Sequence, residues 1–361
     1  MKVLVVSGAS GGHIFPAISF IEALKERDNQ IVTQLVLPQR SSSFCNLSAH
    51  YNARYICSPK LTLSINSRNL IALLQLPEVF LQNLKIILEF KPDLVVGFGS
   101  LDSIPLLLLA WFFRIRTLIH EQNVIPGKAN RLLAKFVDQV AISFEQSREY
   151  LHINLQRVIL TGNPIRKELV RIDKSRAREF FSLHKDKLTI LVTGGSQGSQ
   201  HINYAFSDCV ISILGLVDFQ VIHICGSKDY EMLGKKYKDF NSKIKLMPFL
   251  DKMQYAYSAA DLAITRAGAT TVAELIYFNL PALVVPYPFA YVHQYENAKI
   301  LQKDCLALII NDKELDTSKL KELLISLLKD PEKINSMRSK EKHISGGSAA
   351  QILAKLAVSL I

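Results

Sequence analysis

The feature that most constrains the fold of this chain is one local pattern that occurs twice. The apolar run Val3 to Val6 leads into a glycine loop, Ser7 to Gly12, and a predicted helix from Pro16 to Arg27. The apolar run Leu188 to Val192 leads likewise into the loop Thr193 to Ser199 and a second predicted helix. Strand, glycine loop and helix form the opening unit of a doubly wound α/β domain. The sequence therefore predicts the α/β class, with two similar Rossmann-like domains.

Length and composition agree with two globular domains in a reducing compartment. The chain has 361 residues, of which 49% are hydrophobic and 21% charged, as in folded rather than disordered proteins. Its five cysteines form no CxxC pair, which argues against a disulfide framework and a cysteine zinc site. The first residues, MKVLVVSGAS, are typical of a strand and a glycine loop rather than of a signal peptide.

The formal net charge of +11 indicates an anionic partner. Nucleic acid, an anionic membrane surface and phosphate-rich substrates all attract such a protein. Because there is no basic run and no aromatic-interleaved RNA-binding motif, nucleic acid is not expected. The longest apolar run, Ile104 to Phe113, is far shorter than the roughly 20 residues that cross a bilayer. Its aromatic end, followed by Arg114 and Arg116, suits either a buried helix or a surface that rests on lipid headgroups.

The stretch from Ile264 to Ala298 carries the strongest chemical signal. A short strand ends at Gly268, and an amphipathic helix begins at about Thr270, with Thr270 or Thr271 as the predicted cap. The unpaired amides of a helix N-terminus bind phosphate. Glu274, one turn further on, is suited to accept hydrogen bonds from a sugar diol, and Gln294 offers an amide for sugar hydroxyls. These groups together indicate a nucleotide-sugar pocket.

Three further places carry polar groups in or beside loops that follow predicted strands. His13 lies at the junction of the first loop and its helix, where it either caps or packs the helix or takes part in ligand contact or catalysis. That loop is neither a dinucleotide fingerprint nor a Walker A loop. The segment His120 to Asn123 ends a strand, and so projects into the crevice where open α/β sheets bind ligands. Ser196 places a hydroxyl among backbone amides, which suits a diphosphate.

Five motifs in a fixed order resemble the MurG family. They are GGHIFP (11–16), HEQN (120–123), TGNPIR (161–166), GGSQG (194–198) and RAGATTVAEL with HQYENA (266–275, 293–298). The resemblance implies the GT-B fold, in which two Rossmann-like domains face each other across a deep cleft. It implies an acceptor and membrane-facing domain over residues 1–163 and a UDP-GlcNAc-binding domain over residues 164–345. The last helix, 346–361, is expected to pack back on the first domain.

The resemblance also implies roles for individual residues. Those implied to bind UDP-GlcNAc are Ala9, Ser10, Gly11, Asn123, Ala269 and Gln294 at the GlcNAc, Arg166, Ser196, Thr270 and Thr271 at the diphosphate, Leu250 at the uracil through its backbone, and Glu274 at the ribose hydroxyls. His13 matches the family residue proposed as catalytic base or as an acceptor-site residue, and Glu121 is a reserve candidate for the base. Tyr204 and Phe249 are weaker candidates for the lining of the donor pocket.

The acceptor loops depart from the family pattern at two points. The first loop has Ala9-Ser10 before Gly11-Gly12, where the family usually has glycine and threonine. The second loop reads GFGSLD (97–102), where the family usually has paired glycines and an aromatic residue. Gly12, Gly97, Gly99 and Ser100 are the implied acceptor-loop residues. Asp102 brings a carboxylate near the expected site of a lipid-linked diphosphate, which is unfavourable unless a lysine or arginine offsets it.

The reaction implied by the resemblance is an inverting glycosyl transfer. The C4 hydroxyl of N-acetylmuramic acid in lipid I attacks the anomeric carbon of UDP-GlcNAc, which gives lipid II for peptidoglycan synthesis. The chain has no DxD pair, so no cofactor is expected to be required and a divalent metal is not implied. The expected partners are UDP-GlcNAc, lipid I, an anionic membrane surface and cell-wall assembly proteins, at the cytoplasmic face of the inner membrane. The alternatives are a UDP-sugar 2-epimerase, a glycolipid synthase, or a non-catalytic sugar-nucleotide sensor.

Overall fold

The computed structural model describes residues 1–44, 49–58, 75–195, 198–288, 293–338 and 346–361. The chain divides into two compact units, one formed by 1–166 with 346–361 and the other by 167–345. The predicted boundary lay after Asn163, so Pro164 to Arg166 belong to the first unit rather than to the second. Arg166 in particular packs in the first unit, with its guanidinium 4.7 Å from the ring centre of Phe15.

The described part of the first unit is built on a seven-stranded parallel sheet of order β3–β2–β1–β4–β5–β6–β7. The strands are β1 Lys2–Ser7, β2 Val32–Pro38, β3 Ala53–Ile56, β4 Leu94–Phe98, β5 Arg116–Glu121, β6 Gln139–Ile142 and β7 Val158–Leu160. The helices that alternate with them are α1 Gly11–Arg27, α2 Leu76–Phe90, α3 Ile104–Phe112 and α4 Lys128–Leu133. The central strands are almost continuously apolar because helices cover both faces of the sheet.

The second unit repeats this arrangement with a six-stranded parallel sheet of order β10–β9–β8–β11–β12–β13 over its described residues. Its strands are β8 Leu188–Thr193, β9 Phe219–Ile224, β10 Ile244–Met247, β11 Leu262–Thr265, β12 Ala282–Val284 and β13 Ala307–Ile309. Its helices are α5 Lys174–Phe180, α6 Gln200–Leu214, α7 Tyr230–Lys236, α8 Met253–Ala259, α9 Ala269–Phe278, α10 His293–Lys303, α11 Thr317–Lys329 and α12 Pro331–Ser336.

Both sheets follow the Rossmann strand order, so the prediction of two Rossmann-like domains is confirmed. In each sheet the order of the strands reverses beside the first strand. This switch point lies between β1 and β4 in the first unit and between β8 and β11 in the second. Ser7 pairs with Phe98 and Thr193 with Thr265, so the loops that follow these strands start side by side. Ligands of open α/β sheets bind at this edge.

The C-terminal helix, α13 (Gly346–Val358), belongs to the core of the first unit. Its fully buried side chains Leu353 and Ala357 share one apolar cluster with Phe20 and Leu24 of α1. The chain therefore returns from the second unit to cover one face of the first sheet. Within the described ranges, no helix is both long and apolar enough to cross a bilayer.

Two helix starts differ from the sequence-based predictions. Helix α1 begins at Gly11 rather than at Pro16, so the second half of the glycine loop is already helical and Pro16 lies inside the helix. Helix α9 begins at Ala269, and its N-cap is Gly268. The prediction that Thr270 or Thr271 caps α9 is therefore wrong, because the chain turns into the helix before either threonine. Strand β3 was not predicted.

Candidate active site

The first part of the candidate site lies at the switch point of the first unit. His13 is in the first turn of α1, and its half-buried ring packs against Gly8 and Gly99. A Cβ added to Gly8 would come 3.0 Å from His13 Cδ2, and one added to Gly99 would come 3.2 Å from His13 Cε1. Gly99 also has φ +78°, which favours glycine. These two glycines admit the imidazole between the loops that follow β1 and β4.

A line of hydrogen-bonding groups runs from His13 into the sheet. His13 Nδ1 lies 3.2 Å from Gln122 Oε1, and Gln122 Nε2 lies 3.1 Å from His120 Nδ1. His120 Nε2 lies 3.0 Å from the carbonyl oxygen of Gly162. His120 is fully buried, and this burial lowers its pKa to about 4, so the ring is neutral above that pH. The sequence motifs contain these residues, but the sequence alone does not show that they are linked by hydrogen bonds.

Glu121 is placed to organise the loop after β5 rather than to act as a base. Its side chain is buried and accepts four hydrogen bonds, from the backbone and side-chain amides of Asn123 and from Gly127 N and Asn130 Nδ2. Its carboxylate oxygens are therefore engaged within 2.8–3.2 Å by their own loop. This geometry does not support the reserve role of Glu121 as catalytic base, and it explains how Asn123 is held.

The other predicted residues of this unit lie at loop ends. Ala9 is half-buried and Ser10 is exposed, and Ser10 is the N-cap of α1 without a side-chain capping bond. Gly11 and Gly12 form the start of α1. Arg166 Nε is buried and has no hydrogen-bond partner in the part of the chain that the structure describes. The same holds for both polar atoms of the Asn163 side chain, a buried amide that sequence reasoning did not single out.

The loop after β4 has a geometry of its own. Gly97 lies inside β4, where a Cβ would overlap Leu107 of α3, so its assignment to the acceptor loop is wrong and its role is packing. Ser100 has φ 72° and ψ 153°, a conformation that is nearly confined to glycine. Its hydroxyl donates to Asp102 Oδ2 at 2.6 Å, which fixes this strained residue to the turn that follows.

Asp102 is neutralised by a partner that is distant in sequence. Arg40, just after β2, donates to its carboxylate at 2.5 Å, and the Ser58 hydroxyl donates to the other oxygen. The Asp102 side chain is 3% exposed. The departure from the family pattern is thus offset, because a buried carboxylate that is paired with a guanidinium presents little net charge to a ligand.

The second part of the candidate site lies at the N-terminus of α9 in the second unit. Gly268 has no side chain, so the N-cap residue itself makes no side-chain hydrogen bond to the first amides of this helix. Thr270 Oγ1 is buried and finds no hydrogen-bond partner among the described residues. Ala269, Thr270 and Thr271 therefore form a helix start with amides, a dipole and a hydroxyl available to an anion.

Two polar side chains are held firmly near this helix start. Glu274 is buried, and its Oε2 accepts a hydrogen bond of 2.6 Å from the Tyr257 hydroxyl of α8. Sequence reasoning missed Tyr257, because nothing in the linear pattern links it to α9. Gln294 Oε1 accepts from the backbone amides of Ala267 and Tyr287, and so it ties the start of α10 to the ends of β11 and β12.

The glycine loop after β8 is joined to the same region. Buried Arg266, which follows β11, donates from Nε to Ser199 Oγ at 3.1 Å and also pairs with Asp312. A Cβ on Gly198 would overlap the Cys225 carbonyl, and its φ of +75° also favours glycine. Ser196, predicted at the diphosphate, lies outside the described residues.

The remaining donor-side predictions lie on the flanks of these loops. Leu250 is half-buried in the loop between β10 and α8, the helix that carries Tyr257. Tyr204 and Phe249 are 40% and 54% exposed. Within the described ranges no group of three or more His, Cys, Asp or Glu side chains is placed to hold a metal ion. Metal independence remains a prediction.

Family models match both units of the chain. The glycosyltransferase family 28 N-terminal domain matches residues 3–142, and the glycosyltransferase family 28 C-terminal domain matches residues 189–354. Two relatives named UDP-N-acetylglucosamine–N-acetylmuramyl-(pentapeptide) pyrophosphoryl-undecaprenol N-acetylglucosamine transferase are similar over almost their whole length. The one from Caldanaerobacter subterraneus subsp. tengcongensis is 36% identical, covering 99% of both chains. The one from Halothermothrix orenii is 34% identical, covering 99% of this chain and 98% of the relative.

Two solved structures are similar to this chain over nearly its whole length. The crystal structure of MurG from Acinetobacter baumannii has a TM-score of 0.78 and 25% identity, and 99% of each chain is covered. A UDP-GlcNAc 2-epimerase from Neisseria meningitidis, solved with UDP-GlcNAc bound, has a TM-score of 0.70 at 18% identity, covering 99% of this chain and 100% of that one. The second likeness is one of fold alone.

Asp102→Ala should destabilise the first unit, because it removes the ion pair with Arg40 and the hydrogen bond that holds the strained Ser100. We expect a loss of about 1–3 kcal/mol in the free energy of unfolding, measured by chemical denaturation of the full chain. Adding Ser100→Gly should restore part of this loss, since glycine adopts the required backbone conformation without strain. Glu89→Ala, which removes an exposed ion pair with Arg54, is the control and should leave the unfolding midpoint unchanged. An unchanged unfolding midpoint in Asp102→Ala would show that Asp102 does not stabilise this loop.

Proposed function

We propose a reaction for this chain from the premise that it belongs to the MurG family of N-acetylglucosamine transferases. The chain transfers N-acetylglucosamine from UDP-N-acetylglucosamine to N-acetylmuramic acid of undecaprenyl-pyrophosphoryl-N-acetylmuramyl-pentapeptide, lipid I. The product is lipid II, for peptidoglycan synthesis. The observation that carries this proposal is sequence identity of 34% and 36% to two transferases of that name over 99% of the chain. Similarity of fold to an epimerase does not support epimerisation.

On the donor side, we assign the diphosphate of UDP-GlcNAc to the N-terminus of α9. The N-terminal amides of Ala269 and Thr270, the helix dipole and the Thr270 hydroxyl, which has no hydrogen-bond partner among the described residues, are the groups that an anion needs. As the bond to the sugar breaks, negative charge grows on UDP, and these fixed donors stabilise it. Glu274, oriented by Tyr257, accepts hydrogen bonds from the ribose hydroxyls.

On the acceptor side, we assign proton removal to His13. A hydroxyl is a poor nucleophile at neutral pH, so a base must take its proton as the new bond forms. The C4 oxygen of N-acetylmuramic acid bonds to the anomeric carbon and the carbon–phosphate-oxygen bond breaks, with inversion. The proton passes to His13, and the electron pair leaves with UDP. Glu121 does not compete for this role, because four hydrogen bonds occupy it.

The experiment that tests this function is a transfer assay with radiolabelled UDP-GlcNAc and a short-chain lipid I analogue. We expect a labelled disaccharide product with UDP-GlcNAc and little or none with UDP-GalNAc as control donor. His13→Ala should lower kcat by about 10²–10⁴. Donor binding without transfer would instead support a sugar-nucleotide sensor, and epimerised UDP-sugar would support an epimerase.

Glu274→Ala should raise the KM for UDP-GlcNAc in this assay. The loss corresponds to about 1–3 kcal/mol, because charged hydrogen bonds to the ribose disappear. Tyr257→Phe, which keeps the ring but removes the hydroxyl that orients Glu274, should raise the same KM by a smaller factor. If Glu274→Ala bound the donor as the wild type does, Glu274 would not belong to the donor site.

We also propose that the first unit docks on an anionic membrane as a peripheral protein at the cytoplasmic face. Trp111, Phe112 and Phe113 at the end of α3 are 48%, 71% and 43% exposed, and exposed Arg114 and Arg116 follow them. On α2, which packs against α3, Leu81 and Leu88 are 65% and 58% exposed. Exposed aromatic and aliphatic side chains beside cations match the interface of an anionic bilayer. Such docking brings the first unit to the membrane that holds the lipid-linked acceptor.

Phe112→Ser should weaken binding of the full chain to vesicles that contain anionic lipid. Burial of a phenylalanine contributes about 1.5–3 kcal/mol, so we expect roughly a tenfold loss or more in co-sedimentation. Leu216→Ser is the matched control, because Leu216 is 62% exposed on the second unit. Equal loss in both variants, or none in Phe112→Ser, would place the docking surface elsewhere.

A further inference from the structure

We propose that Gln122, itself anchored by His120, sets the tautomer of His13. In the series of hydrogen bonds that we assign, the proton of the neutral ring is on His13 Nδ1. The lone pair on Nε2 then receives the proton of the acceptor sugar's hydroxyl. Gln122 and His120 are then positioning residues for the base. The catalytic meaning of this inference rests on the proposed transfer reaction, whereas the tautomer is a property of the free protein.

The orientation of the Gln122 amide is fixed by backbone groups that only accept hydrogen bonds. Gln122 Nε2 lies 3.2 Å from the carbonyl oxygen of His120 and 3.4 Å from that of Phe98. An amide oxygen at this place would face two other oxygens, so this atom is the NH₂ group. The side chain is also buried. Its Oε1 is therefore the atom that faces His13 Nδ1 at 3.2 Å.

The tautomer of His120 is fixed in the same way. Its Nε2 lies 3.0 Å from the carbonyl oxygen of Gly162, to which it must donate. In a neutral ring the Nδ1 atom is then an acceptor, and Gln122 Nε2 donates to it at 3.1 Å. Complete burial keeps His120 neutral at working pH, since the pKa of its ring is lowered to about 4. The hydrogen bonds at His120 therefore keep their direction, because the ring does not gain a proton at working pH.

These constraints leave one arrangement for His13. Gln122 Oε1 can only accept, so His13 Nδ1 carries the hydrogen and Nε2 is unprotonated in the neutral ring. Among the residues that the structure describes, nothing hydrogen-bonds to His13 Nε2. The ring is half-buried against Gly8 and Gly99. An unconstrained imidazole exchanges its proton between both nitrogens, whereas this one offers a ligand a single defined lone pair.

The direct test is the ¹⁵N spectrum of the full chain labelled with ¹⁵N-histidine. Long-range ¹H–¹⁵N correlations distinguish a protonated ring nitrogen from an unprotonated one. His13→Gln identifies the His13 signals among those of the nine histidines. At a pH where the ring is neutral, we expect Nδ1 of His13 to be the protonated nitrogen. A wild-type spectrum with the proton on Nε2 would overturn the inference, whether or not the protein transfers GlcNAc.

A matched pair of variants separates positioning from structural support. Gln122→Met keeps the size of the side chain but removes the acceptor, so His13 should populate both tautomers and kcat should fall about tenfold or more, towards the 10²–10⁴ that a base contributes. Gln122→Glu keeps an acceptor for His13 Nδ1 but buries a charge facing two carbonyls, so it should be the less stable variant. We expect Gln122→Glu to keep the wild-type tautomer and the higher kcat of the two.

The order of the two variants decides the outcome. If Gln122 only supported the fold, kcat would follow stability, and Gln122→Met would be the more active variant; that result would overturn the inference. The double variant His13→Ala/Gln122→Met should have the kcat of His13→Ala alone, since Gln122 acts through His13. If Gln122→Met does not fold, the wild-type spectrum and Gln122→Glu still decide the question. A wild type with the expected tautomer but no transfer would refute the proposed function and support the tautomer assignment.

Discussion

The structure of each unit depends on one constraint, the parallel pairing of every described strand with a single reversal of strand order. Parallel strands need a helix between them, so each strand end is followed by a loop and a helix N-terminus at the same edge of the sheet. At the reversal, the neighbouring loops diverge and leave their amides and side chains open. His13 and the start of α9 both lie next to such a reversal.

Buried polar side chains hold these loops in place. In the second unit His223 is completely buried, and its ring nitrogens contact the Tyr237 hydroxyl and the Asn203 side chain, with its pKa lowered to about 3 by burial. His120 in the first unit is buried in the same way, but its network continues through Gln122 to a half-exposed imidazole. A satisfied buried network makes a core rigid. In the first unit that rigidity reaches His13, the proposed base.

The sequence predicted strands β1 and β8 well, because buried parallel strands are continuous apolar runs. It predicted helix starts poorly. Gly11 and Gly12 were predicted to lie in a loop, yet they are helical, and Gly268 caps α9 in place of the threonines. The partners of the polar site residues could not be predicted at all. Tyr257 and Glu274 meet only when α8 packs beside α9, and the hydrogen bonds that engage Glu121 come from a loop whose path is not a periodic pattern.

The loop after β4 shows how two unfavourable substitutions become compatible. A serine at position 100 is strained in its backbone, and a buried carboxylate at position 102 is costly without partners. When both residues are present, the Asp102 carboxylate accepts a hydrogen bond from the Ser100 hydroxyl, and Arg40 supplies the opposite charge. The field of such a close ion pair falls off faster with distance than that of a single charge, so a diphosphate nearby is repelled far less than by Asp102 alone. Arg40 therefore supplies the positive charge that offsets the buried acid at position 102.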